Sequence, residues 1–363
     1  MKHMLTKQLN LPHISALAEK VVTDIRHRGL AVGDRYLTTA EVGRMLGVQK
    51  AMANKAMRHL AEQGVLISRQ RAGTFVGPGL KQHKRSKVRN VYVLLADGDP
   101  STTNWAYRSF IEGFRRAIPD INVQFTFVPD NDPVGYIAEL IEGQRALGQF
   151  AGSVAVSCSP EVYRYLSELR EPAVVHGSLY SSELPIASVD LDNRQSGQLL
   201  SQYLVDRGHH RIAVLMTGAG LPGHNTFIDG ICDVLATSGL PANALMHRLF
   251  RNDLQALQSA AKELLEGPSS PTAVITRGSI QAQVIASVAM GLGLVVPGNL
   301  EIVFDHEDQT APHVNMASYP RVEPQMSFVD IAAKIGAVLK EVSEGASFPP
   351  KRVLIPVEFH RPD

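Results

Sequence analysis

A short segment near the N-terminus combines an amide side chain with two lysines at helical spacing. Asn54, Lys55 and Arg58 lie on one side of a predicted helix over 49–63, with Lys50 at its flank. The other side is small and apolar, and consists of Ala53, Ala56, Met57 and Leu60. Lysine binds phosphate oxygens, and asparagine pairs with the adenine edge in the major groove. The pattern predicts a helix that packs by one side and reads DNA with the other, although a solvated basic face has the same pattern.

The flanking sequence supplies elements that would hold such a helix against DNA. They are, in order, a helix over 11–28, a cap at Thr38 or Thr39, a short helix over 40–46, a turn at Gly47 and, after the reading helix, a β-hairpin from VLI to GTFV with the basic tip Arg69-Gln70-Arg71. This is the order of a winged helix-turn-helix, which favours DNA reading over a merely solvated face.

Charge is divided unevenly along the 363 residues, a length that fits two or three domains. Residues 1–90 carry 17 Lys+Arg against 5 Asp+Glu, whereas residues 91–363 carry 19 against 30. A basic N-terminal part on an acidic body indicates a polyanionic partner for the basic part. Cys158 and Cys232 are the two cysteines, so neither a disulfide framework nor a cysteine zinc site is expected, and the predicted location is the cytoplasm. We predict no membrane span and no signal peptide.

Four segments, VGDRYL, EVGRMLGV, KAMRHLAEQGVL and RAGTFV, together resemble the winged helix-turn-helix of the GntR family of bacterial repressors. The resemblance implies a DNA-binding domain over 1–76. The predicted DNA-facing residues are Thr38, Thr39, Gln49, Lys50, Met52, Asn54, Lys55, Arg69, Arg71 and Gly73. The sequence departs from the family at Ala40, Gln49, Met52 and Asn54, and fewer guanidiniums imply a different operator. Asparagine can read adenine there, and Met52 can contact a thymine methyl.

Residues 77–90, GPGLKQHKRSKVRN, are rich in lysine and arginine and lack apolar periodicity. We interpret them as a linker that either tracks the DNA backbone or serves as a solvated spacer. From residue 91 onward, short apolar runs alternate with helical patterns, which predicts parallel sheets covered by helices on both faces. Such a length exceeds one sheet, so we expect an α/β body of two lobes with its ligand in the cleft between them.

Several body segments resemble the effector-binding domain of the LacI/GalR family, which is similar to periplasmic sugar-binding proteins. They are VDLDNRQSGQLLSQYLVDRGHHRIAVL, FIDGICDVLATSGL, GLGLVVPGNLEIVFD, EPQMSFVDIAAKIGAVLKEV and VLIPVEFHRPD. The resemblance implies a periplasmic-binding-protein-like domain over 91–363, with one lobe of 91–187 and 318–345 and a second of 188–317 and 346–363. Three crossings would form the hinge. A GntR-type head on a LacI/GalR-type body is the arrangement of AraR-like regulators.

The same resemblance implies an effector site, because a sugar is held by an aromatic face and a ring of polar side chains. The candidate residues are Trp105, His176, Asp192, His224, Phe227, Arg277, Ser279 and Asp305. Asp305 matches a ligand-contacting aspartate of the family, whereas Phe227 replaces its arginine, and Gly278-Ser279 replace its Asn-Asp. These losses leave open a modified sugar, a phosphorylated or acidic one bound by Arg277, or a non-carbohydrate. His209 and His210 are interpreted as structural.

Catalytic patterns are weak throughout. The run TGAGLPGHN fits neither the Walker nor the dinucleotide spacing, and we find no G-x-S-x-G elbow and no metal-spaced histidine pair. We therefore predict a non-enzymatic regulator without cofactor or metal, which represses carbohydrate-related genes. Its partners would be a pseudo-palindromic DNA operator, a sugar-like effector and a second copy of the chain, because one helix reads few base pairs. A DNA-binding protein whose body serves only dimerisation is the alternative.

Overall fold

The structure is a computed structural model that describes most of the chain. The described residues are 11–69, 72–82, 90–96, 104–146, 151–169, 171–217, 220–251, 253–267, 269–306, 318–345 and 350–362. They form an N-terminal unit, here called the head, and a body of alternating strands and helices.

The head consists of three helices followed by a two-stranded hairpin. Its elements are α1 (Leu11–His27), α2 (Thr39–Leu46), α3 (Lys50–Glu62), β1 (Leu66–Arg69), β2 (Gly73–Val76) and a single helical turn, α4 (Gly79–Gln82). One apolar cluster holds them together, with Val21, Ile25, Val42 and Leu60 fully buried. This is the predicted order of a winged helix-turn-helix.

Local sequence signals position α2 and α3. Thr38 caps α2, since its hydroxyl accepts from the Glu41 N–H and its own N–H donates to the Glu41 carboxylate at 2.7 Å. Gly47 ends α2 in the left-handed region at φ 64°, which lets the chain turn into α3. The strands β1 and β2 pair antiparallel, and Arg35 bridges to Phe75.

Part of the predicted linker belongs to the head. The N–H groups of Gly77 and Gly79 donate to the carbonyls of Val65 and Gly64, and Leu80 packs against the head core. Such backbone pairing cannot be predicted from the sequence of a glycine-rich segment that lacks apolar periodicity. Residues 83–89 lie outside the described residues.

The described residues of the body form two six-stranded sheets. The first has the order β13-β7-β6-β5-β3-β4, with β3 (Asn90–Ala96), β4 (Asn122–Val128), β5 (Ala151–Val156), β6 (Ala173–His176), β7 (Ala187–Leu191) and β13 (Arg352–Ile355). All its pairs are parallel. Its helices are α5 (Asn104–Ala117), α6 (Pro133–Ala146), α7 (Pro160–Glu168) and α12 (Phe328–Ser343).

The second sheet has the order β14-β12-β11-β10-β8-β9. Its strands are β8 (Ile212–Thr217), β9 (Leu245–Phe250), β10 (Ala273–Thr276), β11 (Glu301–Asp305), β12 (Arg321–Pro324) and β14 (Val357–His360), of which β14 alone runs antiparallel. Its helices are α8 (Asn193–Asp206), α9 (Pro222–Thr237), α10 (Leu254–Glu266) and α11 (Ser279–Gly291). Apolar clusters cover both faces of each sheet, which confirms the predicted two-lobed α/β body.

Sheet membership differs from the predicted lobe ranges in three places. Residues 188–191 and 352–355 pair in the first sheet rather than the second, and residues 321–324 pair in the second rather than the first. A four- or five-residue apolar run predicts a buried strand but does not say which of two sheets it joins. Within the described residues the chain therefore passes between the sheets after β7, after β12 and after β13.

Candidate functional site

The exposed side of α3 carries most of the predicted DNA-reading residues. Gln49 is the N-cap residue, and Lys50, Asn54 and Lys55 are exposed. In the described part of the head no carboxylate pairs with Lys50 or Lys55, so both ammonium groups are available to phosphates. Thr38 is exposed at the start of α2, and Thr39 is half-buried in its first turn.

Met52 differs from the prediction. Its side chain is half-buried and packs against the head core with Met45 and Val48. The residue lies between the apolar and exposed sides of α3, and an unbranched thioether fills the gap there. Met52 therefore supports α3 as well as bordering the exposed surface.

The hairpin adds a second basic surface and a residue that the sequence reasoning missed. Arg69 is exposed and stacks over the Phe75 ring at 4.7 Å. Gly73 has φ +107°, and a Cβ there would lie 3.2 Å from Arg35 Nε. Arg35 is thus held beside the hairpin, although it precedes α2 by several residues. The backbone bridge between Arg35 and Phe75 makes this contact, and sequence spacing does not reveal it. Arg71, at the predicted basic tip, lies outside the described residues.

In the body, polar side chains cluster at the carboxyl ends of β6, β7, β10 and β11, where parallel sheets bind ligands. Arg277, which follows β10, joins two groups of this cluster. Its Nη1 lies 2.9 Å from Asp305 Oδ2, and its Nη2 donates to Asn193 Oδ1 at 2.7 Å. Asn193 Nδ2 donates to Asp190 Oδ2 at 3.0 Å, and Ser178 Oγ donates to the same oxygen. A continuous polar chain therefore links the end of β7 in the first sheet to the end of β11 in the second.

Phe227 lies beneath this chain. It is fully buried, and Arg277 Cζ lies 4.5 Å from its ring centroid. Close contact between α8 and α9 positions it, because a Cβ at Gly197 would overlap the Phe227 carbonyl and a Cβ at Gly230 would overlap the Arg194 carbonyl. The ring stabilises the guanidinium from below, which differs from its predicted role as an effector contact.

Burial and pairing determine the ionisation of the cleft groups. Burial raises the pKa of Asp305, but Arg277, His306 and Ser196 outweigh it and leave that pKa below its ordinary value. Burial raises the pKa of Asp190 despite the Ser178 hydrogen bond. Burial also lowers the pKa of His176, and it lowers the pKa of His224 to about 4 together with repulsion from Arg277. Asp305 and Arg277 thus form a charged pair near the neutral imidazole of His224.

The remaining predicted effector residues occupy different positions. His176 ends β6, close to Asp190 in the first lobe, and His224 lies near Arg277 and Asp305. Asp192 accepts the Gln195 N–H at 2.9 Å as the N-cap of α8, so its carboxylate is engaged in local structure. Ser279 is buried at the start of α11. Trp105 lies in the first turn of α5, and its side chain is outside the described part of the structure.

Sequence reasoning missed Ser178, Asp190, Asn193 and His306. Asp190 and Asn193 lie in the segment VDLDN, at the end of a predicted strand, and this position could have indicated that they belong to the site. Ser178 is brought to Asp190 by the loop after β6, which no spacing rule predicts.

Residues 91–340 match the family described as periplasmic binding proteins and sugar binding domain of LacI family. The chain belongs to this family. All the cleft residues described above fall within the matched range, and the head lies before it. Membership in this LacI-related family therefore concerns the two-lobed body.

Individual proteins and solved structures are also similar to this chain. The HTH-type transcriptional repressor CytR of Escherichia coli (strain K12) is 28% identical over 158 residues, which cover 42% of this chain and 46% of CytR. The matched stretch thus spans less than half of that relative. The structure of a putative transcriptional regulator LacI from Bacillus cereus subsp. cytotoxis NVH 391-98 has a TM-score of 0.64 at 18% identity and covers 76% of this chain and 98% of its own. The transcriptional regulator CelR–cellobiose complex has a TM-score of 0.63 at 16% identity, covering 89% and 98%. At these identities the two structures show a shared fold.

Within the described residues, no group of three or more metal-ligating side chains comes together. None of the helices in the described ranges is long and apolar enough to span a membrane.

Proposed function

We propose that this protein is a DNA-binding transcriptional regulator, a repressor of carbohydrate-related genes that responds to a small effector in the cleft between the lobes. The polar chain Asp190–Asn193–Arg277–Asp305 carries the proposal, because it joins the two lobes at the ligand-binding end of both sheets. A ligand that replaces these contacts would change how the lobes sit together. Effector and DNA would then alter each other's affinity reciprocally, typically by about 1 to 3 kcal/mol.

The head supports DNA binding of the GntR type on an AraR-like arrangement. Its three helices and hairpin present Lys50, Asn54, Lys55 and Arg69 on exposed surface, with Arg35 beside Gly73 in the hairpin. Two heads of a homodimer would read the two halves of a pseudo-palindromic operator. The protein would act in the cytoplasm.

The charges in the cleft support a neutral, hydroxyl-rich effector. Arg277 is already paired with Asp305 and Asn193, so an anionic ligand would have to displace a buried carboxylate. Sugar hydroxyls both donate and accept, and they match a mixed set of carboxylate, amide and guanidinium groups. Arg277 over the Phe227 ring also supplies a guanidinium where the family's own arginine is replaced. The solved CelR complex with cellobiose, a neutral sugar, favours the same class.

The first experiment identifies the operator. Full-length protein selects sequences from random duplex DNA, and binding of the selected DNA is titrated at two salt concentrations. Lys50→Ala and Asn54→Ala should each relax base preference, with a discrimination loss of about 1 to 3 kcal/mol per reading contact. Arg251→Ala, an exposed arginine in the body, is the matched control and should bind the operator like wild type. Equal losses on selected and random DNA would contradict the base-reading assignment.

The second experiment tests the cleft. A panel of mono- and disaccharides and their phosphates is added to the protein–operator complex, and release is followed by fluorescence anisotropy. A neutral sugar should change operator affinity in wild type, and Ser178→Ala should weaken that response while operator affinity without sugar stays the same. If no compound acts and the protein is still a sequence-specific dimer, the body serves dimerisation only.

A further inference from the structure

A second cavity lies at the end of the second sheet opposite the cleft. Its volume is about 290 Å³, and its lining includes Tyr203, Arg207, Glu301, Tyr319, Pro320 and Arg361. Strand β11 begins at Glu301 beside this cavity and ends at Asp305 in the cleft. At about 3.3 Å per residue the two carboxylates are roughly 13 Å apart along the strand. The cavity is therefore a separate place in the fold from the proposed effector site.

Glu301 is fully engaged by the protein itself. Its Oε1 accepts from the Tyr203 hydroxyl at 2.7 Å, and its Oε2 accepts from Arg207 Nε at 2.8 Å. His209 Nε2 lies 3.0 Å from the same Oε2, and His209 Nδ1 lies 3.0 Å from Thr272 Oγ1. A carboxylate with three partners has little left to offer a ligand, so recognition would fall to the other lining groups.

Ionisation leaves positive charge at the cavity. Burial raises the pKa of Glu301, but hydrogen bonds from Arg207, Tyr203 and His209 outweigh it and leave that pKa below its ordinary value. Burial and the Glu301 contact raise the pKa of Tyr203 to about 12, so its hydroxyl stays neutral. Glu301 balances one of the two arginines, and within the described residues no carboxylate pairs with Arg361. Among these described groups, one guanidinium charge is thus left without a carboxylate to balance it.

The walls add an apolar and aromatic component. Arg207 Cζ lies 5.5 Å from the Tyr203 ring centroid, and that ring packs on Phe359 at 4.8 Å, which fixes the arginine over a rigid surface. Tyr319 and Pro320 form part of the lining. A cavity at the lower end of ligand-site volumes, with a fixed guanidinium and apolar walls, fits a compact molecule that has one anionic group and a short carbon skeleton.

We propose that this cavity binds a small organic anion, a phosphate ester or a carboxylate, through Arg207 and Arg361. Guanidinium forks match both anions because each presents paired oxygens. The site does not require the proposed regulatory function, since it uses none of the cleft residues and none of the head.

Calorimetric titration of the full chain tests the site at constant ionic strength with two probes of the same skeleton, glycerol 3-phosphate and glycerate. At least one should bind wild type saturably, and the stronger probe identifies the anion class. Arg361→Gln should weaken that binding at least about tenfold, and Arg361→Lys should recover part of it. Arg361 is exposed and outside the Glu301 hydrogen bonds, so its replacement should leave the fold intact.

Other basic surfaces could also bind a phosphate. The comparison of Arg361→Gln with a control variant therefore decides whether the probe binds at the cavity. Arg251→Gln, an arginine 90% exposed in the same lobe, is the matched control and should bind like wild type. Identical isotherms for wild type and Arg361→Gln, or no saturable binding of either probe, would overturn the proposal.

Discussion

The head and the cleft present their polar residues in opposite ways. On α3 of the head, Lys50, Asn54 and Lys55 are exposed, and backbone features such as the α2 cap and Gly47 set their positions. In the cleft, Asp305 is almost wholly buried and is paired with Arg277, whose side chain is 16% exposed. A surface residue can change with little effect on folding, whereas a buried charged pair cannot lose one member cheaply. Under the proposed function, the head would therefore acquire a new operator by substitution more easily than the body would acquire a new effector.

The largest effect should come from Arg277→Ala. The substitution removes the guanidinium partner of Asp305, whose side chain is only 2% exposed, and also removes the donor to Asn193. We expect a loss of about 3 to 5 kcal/mol in the free energy of unfolding. Urea unfolding of the variant, followed by circular dichroism, measures it.

A double substitution distinguishes the energetic coupling between Arg277 and Asp305 from a simple loss of packing. Arg277→Ala combined with Asp305→Ala should cost less than the sum of the two single changes, because no charge is left alone. Arg251→Ala should stay within about 0.5 kcal/mol of wild type. Additive costs for the two single changes would show that the pair is not coupled.

The same contrast explains which features of the head and of the cleft can be predicted from the sequence. The head was predictable because its signals are local: the Thr38–Glu41 capping box, Gly47 and the apolar spacing of α3 each act within a few residues. Asp305 and Arg277 were also reachable, since both follow buried strands of a parallel sheet.

The missed features depend on contacts between distant segments. Arg35 reaches the hairpin through its bridge to Phe75, and Ser178 reaches Asp190 through a loop. The burial of Phe227 follows from how α8 and α9 meet, and the sheet joined by β13 is set by pairing across some 160 residues. The spacing of apolar residues along the chain does not predict any of these long-range contacts.

A smaller effect should appear as pH dependence. In the folded protein the pKa of His224 is lowered to about 4 from an ordinary 6.5, chiefly by burial. As pH falls below about 7, the unfolded chain takes up the proton first, so this residue destabilises the fold progressively until about pH 4. His224→Gln should remove that loss, which amounts to about 2 kcal/mol at pH 5. Urea midpoints of wild type and variant at pH 7 and pH 5 measure the difference.

His210, an exposed histidine of the same lobe, supplies the matched control. His210→Gln should keep the wild-type pH dependence. An unchanged pH dependence in His224→Gln would contradict the assignment of the acid loss to the buried His224 imidazole.

The smallest effect should come from the head and should separate scaffold from reading residues. Thr38→Ala removes the α2 cap and should cost about 1 kcal/mol of stability. Lys55→Ala, an exposed change on α3, should shift stability by less than about 0.5 kcal/mol while weakening DNA binding. Thermal unfolding and operator titration on both variants test this division. If Lys55→Ala proved the more destabilising of the two, the exposed side of α3 would have a structural role, and the contrast between an adaptable head and a locked cleft would not hold.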